Sequence, residues 1–137
     1  MKVVLDTNVL VSGLISHGSP PGDLIEAWKS GRFGLVTSTA QLLEFRRVLG
    51  YERPQKFIHW DQAQSLVETI VAVAEVIDQD LPDVAFSSDP ADNQIIATAI
   101  VGEADLLVSG DKSDLVALSE VEGIPILTPR QALTEIL

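Results

Sequence analysis

Two acidic residues each follow a short apolar run, which is the pattern expected where a buried strand of a parallel sheet ends. Asp6 comes directly after Val3–Leu5, and Asp111 comes soon after Leu106–Val108. In open parallel sheets, ligands bind outside the carboxyl ends of the strands. Carboxylates that meet there repel each other unless a cation neutralises them, and Mg²⁺ prefers oxygen ligands. The spacing therefore predicts a site for a divalent cation.

Two further acids, Glu44 and Asp92, lie in segments with helical periodicity, each beside the apolar stripe of its helix. Asp89 and Pro90 have the residue types of an N-cap and a first helical position, so Asp89 is better explained as a cap than as a ligand. Asp92 then lies in the first turn of that helix, at the edge where the strands end. We expect these two acids to complete a group of four.

Each acid also has an explanation that needs no cation. Asp6 could cap the helix that begins near Val9, and Asp92 could be favoured in its first turn by the helix dipole. Asp111 could belong to a turn, and Glu44 could be an exposed helix residue. No single position decides between the explanations, but the arrival of four acids at one edge would favour a bound cation.

The elements that must position these acids follow from alternating patterns along the chain. Strands are predicted over residues 3–5, 33–36, 76–77, 106–108 and 125–127, and helices over 9–15, 23–29, 38–49, 61–74, 89–102, 115–118 and from 129 onward. Ser38 and Gln41 have the spacing of a capping box. Continuous apolar strands that alternate with helices predict an α/β fold, with a central parallel sheet and helices on both faces.

The composition limits the class of protein. The 137 residues are 46% apolar, which predicts one domain spanning 1–137 with a substantial core. The lack of cysteine excludes disulfides and thiolate metal sites. The chain shows neither a signal-peptide pattern nor an apolar run long enough for a membrane span, so we expect a cytoplasmic protein with no membrane partner.

The net charge of −11 counts against a simple nucleic-acid-binding module, because such modules are usually basic. The charge is uneven: seven of the nine basic residues lie within positions 1–60, and fifteen of the twenty acidic residues lie beyond them. Four basic residues lie close together in the sequence: Arg46, Arg47, Arg53 and Lys56. They could bind a phosphate backbone or could form a solvated helix face.

Three motifs and the C-terminal pattern resemble the PIN-domain family. They are VLDTNVL at 4–10, DPADN through ATA at 89–99, LVSGD at 107–111 and GIPILTP at 123–129. The resemblance extends over nearly the whole chain. It is strongest to the prokaryotic PIN proteins that are the toxin components of toxin–antitoxin pairs, the VapC-like ribonucleases.

This resemblance implies a three-layer α/β/α sandwich and an endoribonuclease that depends on Mg²⁺ or Mn²⁺. The catalytic and metal-binding acids of the family correspond to Asp6, Glu44, Asp92 and Asp111. The supporting polar residues correspond to Asn8 and to Ser109, a position that is more often threonine in the family. Asp6 and Asp111 would be the central ligands, and the four basic residues would hold the RNA substrate.

The resemblance also implies an antitoxin partner, which would block the site by placing a basic side chain among the acids. A homodimer is expected as well, with the apolar faces of Leu24–Trp28 and Trp60–Val71 as candidate interfaces.

Two other functions stay open. A phosphotransfer domain would use Asp6 as its nucleophile, but Asn8 stands where haloacid-dehalogenase-like phosphatases have a second acid. A PIN-like scaffold without catalysis would be favoured by a lack of Mg²⁺ binding in a calorimetric titration, and the presence of all four acids argues against it. His17 and His59 lie in unrelated segments and are expected at the surface.

Overall fold

The computed structural model describes residues 1–50, 56–110 and 115–137. The strands are β1 (Lys2–Leu5), β2 (Gly34–Ser38), β3 (Glu75–Ile77), β4 (Leu106–Val108), β5 (Glu120–Val121) and β6 (Ile124–Leu127). The α-helices of the described residues are α1 (Thr7–Ile15), α2 (Pro20–Lys29), α3 (Thr39–Leu49), α4 (Trp60–Val73), α5 (Pro90–Val101) and α6 (Pro129–Ile136).

The strands form one sheet in the order β3-β2-β1-β4-β6-β5. All pairings are parallel except that of β5 with β6, which is antiparallel. The chain extends the sheet from β1 in one direction through β2 and β3, and in the other direction through β4 and β6. The carboxyl ends of β1 and β4 therefore border the point where the strand order reverses, which is where ligands bind in open α/β sheets.

Alternate residues of β1 point to opposite faces of the sheet, as the pleat of a strand requires. Val3 and Leu5 belong to one hydrophobic cluster, with the buried residues of α1, α2, α3 and α4. Val4 belongs to a second cluster, with Ile95 and Ile96 of α5. The sheet is thus covered on both faces, which confirms the predicted three-layer α/β/α arrangement with a central, mostly parallel sheet.

Local differences from the prediction have identifiable causes. Helix α2 begins at Pro20 rather than at residue 23, because Ser19 caps it and prolines fill its first two positions, where no N–H partner is needed. The segment predicted as a helix near residue 115 contains a short 3₁₀ helix at Val116–Leu118. Strand β5 was not predicted, since two residues carry no measurable periodicity.

Leu24, Ile25 and Trp28 of α2 are buried in the chain's own core, so this face is not available as a dimer interface. The other predicted face is open only in part: Leu66 and Ile70 are buried, whereas Trp60 is 57% exposed and Val71 is 56% exposed. Among the described residues, no helix is long and apolar enough to cross a membrane.

Candidate active site

Asp6 lies where β1 ends, and its side chain is only 7% exposed. The hydroxyl of Ser109, which follows β4, donates a hydrogen bond of 2.9 Å to Oδ2 of Asp6. The backbone N–H of Asp6 donates to the carbonyl oxygen of Val108 at 2.8 Å. Although Asp6 is the N-cap residue of α1, its carboxylate makes no capping hydrogen bond. The carboxylate is therefore held by the Ser109 hydroxyl and by the Thr7 N–H, and not by a capping bond to a later residue of the helix.

The surroundings of Asp6 disfavour its charged form. The pKa of Asp6 is about 6, against an ordinary 3.8, and the main cause is burial. The negative charges of Asp92 and Glu44 also raise this pKa, whereas hydrogen bonds from the Ser109 hydroxyl and the Thr7 backbone N–H lower it. Asp92 and Glu44, although distant from Asp6 in the sequence, are thus close enough to act on its carboxylate, and a cation near these charges would relieve the repulsion.

Asp92 lies in the first turn of α5 and is also buried, with 8% of its surface exposed. The Ser87 hydroxyl donates to Oδ2 of Asp92 at 3.1 Å. Asn93 binds both backbone groups of Ser87, at 2.9 and 2.8 Å. Asp89 caps α5 as predicted, accepting from the N–H of Ala91 at 2.9 Å. The loop before α5 is thereby hydrogen-bonded to Asp92 and to its neighbour Asn93.

Glu44 lies on α3 and is half-buried. Its pKa is raised, first by burial and then by the negative charge of Asp89, while the guanidinium of Arg47 one turn later lowers it. Glu44 is therefore at the margin of the acidic group, where its carboxylate can still reach solvent.

The fourth predicted acid, Asp111, lies outside the described residues. Within the described ranges, no group of three or more acidic or histidine side chains is arranged so that it could hold a metal ion. The donor chemistry nevertheless fits Mg²⁺ or Mn²⁺, because Asp6, Asp92 and Glu44 offer only hard oxygen ligands. The three described acids supply suitable ligand atoms without forming a three-ligand site by themselves.

Comparison with known proteins identifies the family of this chain. The family model for the PIN domain matches residues 2–113. This chain belongs to the PIN-domain family. PIN domains are generally nucleases and typically use divalent metals. No curated protein matches the sequence at a significant level.

Two solved structures show the same fold. One is the crystal structure of VapBC2 from Rickettsia felis bound to a DNA fragment from their promoter. Its matched chain has a TM-score of 0.58 and 18% sequence identity, and the match covers 93% of this chain and 98% of that one. The other is PAE2754 from Pyrobaculum aerophilum, with a TM-score of 0.58 and 17% identity, over 99% of this chain and 89% of that one.

Two clefts of this PIN domain are lined by residues that are close in sequence to the acids. The smaller, of about 320 Å³, is lined by Asn8, Val9, Ser12, Pro21, Gly110 and Pro129. The larger, of about 610 Å³, is lined by residues that include Leu43 and Asn93, next in sequence to Glu44 and Asp92, and by three aspartates of the loop after β3. Asn8, predicted to support the acids, is exposed, and its side chain forms no hydrogen bond within the described part of the chain.

The predicted basic residues lie at the C-terminal end of α3 and beyond it. Arg46, Arg47 and Lys56 are exposed, and Arg47 acts electrostatically on Glu44. Arg53 lies outside the described residues. His17 and His59 are at the surface, as expected.

Sequence reasoning missed several buried polar residues beside the acids. Four are almost completely buried and hydrogen-bonded: Thr37, Ser38, Gln41 and Thr98. The predicted capping box forms only in part, because Ser38 accepts from the N–H of Gln41 but the Gln41 side-chain oxygen accepts from the Thr37 hydroxyl. The Thr7 hydroxyl is buried without a hydrogen-bond partner among the described residues. The only advance signal was the presence of polar residues on faces that had to be buried.

Proposed function

We propose that the chain, as one unit over residues 1–137, is an endoribonuclease that uses Mg²⁺ or Mn²⁺. Asp6, Glu44, Asp92 and Asp111 would hold the cation. The observation that carries the proposal is the burial of Asp6 beside two other acids at the end of β1, which gives this carboxyl a pKa of about 6. Such a strained group of acids is typical of a functional site rather than of a solvated surface.

Phosphodiester hydrolysis needs an activated water and stabilisation of charge on the phosphate. The cation would supply Lewis acidity and lower the pKa of the attacking water. Glu44, which is half-buried and has a raised pKa, is suited to accept a proton from that water. Ser109 would keep the Asp6 carboxylate in one orientation through its hydrogen bond. Asn8, exposed in the smaller cleft, would contribute an amide donor near Asp6.

The charges around the two clefts favour one approach for the RNA. The larger cleft is lined by Asp78, Asp80 and Asp83, which would repel a phosphate backbone. Among the described residues, the lining of the smaller cleft includes no acidic residue. We therefore place the scissile phosphate on the side of the smaller cleft, with Arg46, Arg47, Arg53 and Lys56 binding more distant phosphates.

Partners follow from the family and from one structural relative. The relative from Rickettsia felis was solved as VapBC2 with promoter DNA, and by analogy we propose an antitoxin partner that places a basic side chain among the acids. A homodimer through the exposed face of Trp60–Val71 and a cytoplasmic location belong to the same proposal.

A PIN-like scaffold without catalysis is the second candidate. One observation favours it: the described acids do not form a three-ligand group. Calorimetric titration with Mg²⁺ separates the two candidates, since a nuclease must bind the cation and a scaffold need not. Aspartate-based phosphotransfer is disfavoured by the family match.

Cleavage of a labelled single-stranded RNA tests the nuclease directly. Asp6→Asn preserves size and should lower the Mg²⁺-dependent rate about 100-fold or more, because loss of groups that only orient ligands already costs about 10- to 100-fold. The matched control is Asp80→Asn, an exposed acid of the larger cleft, which should cleave like the parent. Equal rates for the parent and Asp6→Asn would rule out the assignment, and activity that persists in excess chelator would rule out the cation.

A further inference from the structure

Four buried polar residues form a continuous hydrogen-bonded network beneath the acidic group. Their side chains are at most 2% exposed: Thr37, Ser38, Gln41 and Thr98. The Thr98 hydroxyl donates to the carbonyl oxygen of Gln94 at 2.9 Å. That bond uses its only hydrogen, so the Ser38 hydroxyl must be the donor in the 2.9 Å contact between them.

The other end of the network reaches β1. The backbone N–H of Gln41 donates to the Ser38 hydroxyl at 3.1 Å, and the Thr37 hydroxyl donates to Oε1 of Gln41 at 2.7 Å. The Gln41 side-chain amide donates to the carbonyl oxygen of Leu5. Leu5 is the residue immediately before Asp6, and Gln41 lies one turn before Glu44. The hydrogen bonds thus run from the strand that carries one acid to the helices that carry the other two.

Helices α3 and α5 pack their apolar residues in separate clusters. Phe45 and Leu49 of α3 pack in the cluster on one face of the sheet, whereas Ile95 and Ile96 of α5 pack in the cluster on the other. The contact between Ser38 and Thr98 joins the elements of the two faces at the carboxyl edge. At that edge the negative charges of the acids repel one another, which favours their separation.

We propose that the network of Thr37, Ser38, Gln41 and Thr98 fixes the spacing of Asp6, Glu44 and Asp92 and so sets the affinity of the site for a divalent cation. This inference rests on the proposed function. The four side chains are positioning residues: they act through the acids and do not touch the substrate.

The test measures Mn²⁺ affinity by the paramagnetic signal of the free ion, without any assay of cleavage. Thr98→Val keeps the shape of the side chain but removes the link to Ser38, and should weaken Mn²⁺ binding about tenfold or more. Thr98→Ser restores the hydroxyl and should bind within about twofold of the parent, a margin well inside the 10- to 100-fold losses typical of removed ligand-orienting groups.

Thr69→Val is the matched control. Thr69 also donates from a helix to the carbonyl four residues earlier, at 2.8 Å, but it lies on α4 and outside the network. It should bind Mn²⁺ like the parent. If Thr98→Val does not fold, Ser38→Ala takes its place, because it removes the bridging hydroxyl and leaves Thr98 paired with Gln94.

The outcomes are distinct. A folded Thr98→Val or Ser38→Ala protein with parental affinity overturns the positioning role while leaving the nuclease proposal intact. An equal loss in Thr69→Val means general destabilisation and also overturns it. A parent protein that does not bind Mn²⁺ at all defeats the proposed function, and this inference with it.

Discussion

Two acidic regions lie along the same edge of the sheet, and they differ in burial. Asp6 is buried at the end of β1, and Asp92 is buried at the start of α5. Three other aspartates are exposed in the loop after β3: Asp78, Asp80 and Asp83. Exposed charges are screened by water and salt, so their repulsion costs little. Buried charges are screened much less, so their repulsion costs more. The number of carboxylates is therefore a poor guide to a cation site, and their desolvation is a better one.

The largest difference between the two regions should be the pH dependence of stability in the metal-free protein. The pKa of Asp6 is about 6 when folded, against the ordinary 3.8 that applies when the chain is unfolded. The protonated form thus stabilises the fold fully below the unfolded value, and this stabilisation is lost as the pH rises through 6. The loss should be about 3 kcal/mol between acidic and neutral pH.

Urea unfolding in the presence of chelator, repeated across this pH range, measures the loss. Asp6→Asn should remove it, because asparagine does not ionise, and Asp80→Asn should keep it. Identical pH profiles of the free energy of unfolding for Asp6→Asn and the parent would show that the buried Asp6 carboxyl does not cause the loss.

A smaller difference should appear when Mg²⁺ is added at neutral pH. A cation that binds only the folded state stabilises it by about 2.7 kcal/mol at one hundred times its dissociation constant. The parent and Asp80→Asn should gain this stability, and Asp92→Asn should gain much less. Thermal unfolding with and without Mg²⁺ provides the measurement. An equal loss of the Mg²⁺-dependent stability in Asp80→Asn and in Asp92→Asn would mean that the cation is bound diffusely, without preference for the buried acid.

The smallest effect concerns the hydrogen bond to Asp6. Ser109→Ala removes a donor to a buried charged group, and should lower the free energy of unfolding by about 1.5 kcal/mol at neutral pH. The pKa of Asp6 should rise above 6, since the Ser109 hydroxyl lowers it. Carbon-detected NMR titration of the aspartate carboxyls would show the shift. Ser65→Ala, an exposed serine on α4, is the control, and an unchanged pKa in Ser109→Ala would mean that the bond is not made in solution.

The sequence predicted the parts of the fold that depend on local patterns. The apolar runs of β1 and β4 gave buried parallel strands, and Asp89 with Pro90 marked the start of α5 correctly. The prediction failed where a residue's partner is distant. Gln41 fits a capping box from its spacing, but it is buried, and its side-chain oxygen, the acceptor that a capping box needs, accepts from the Thr37 hydroxyl instead. Its side-chain amide donates to the carbonyl oxygen of Leu5 on β1.

The candidate site shows the same division. Strand ends and helix starts placed Asp6 and Asp92 at one edge, and burial of both is the new structural observation. The bond between Ser38 and Thr98 joins residues sixty positions apart, and no local pattern indicates it. The roles of the four acids, including Asp111, stay predictions.

The central position of β1 has a consequence for synthesis on the ribosome. Strand β1 pairs with β2 and with β4, and the second of these neighbours emerges only after residue 106. The bond that holds Asp6 spans 103 residues of chain. Contacts of such long range form late and slow folding. A nascent chain therefore carries no assembled acidic group until Ser109 and the strand before it have left the exit tunnel.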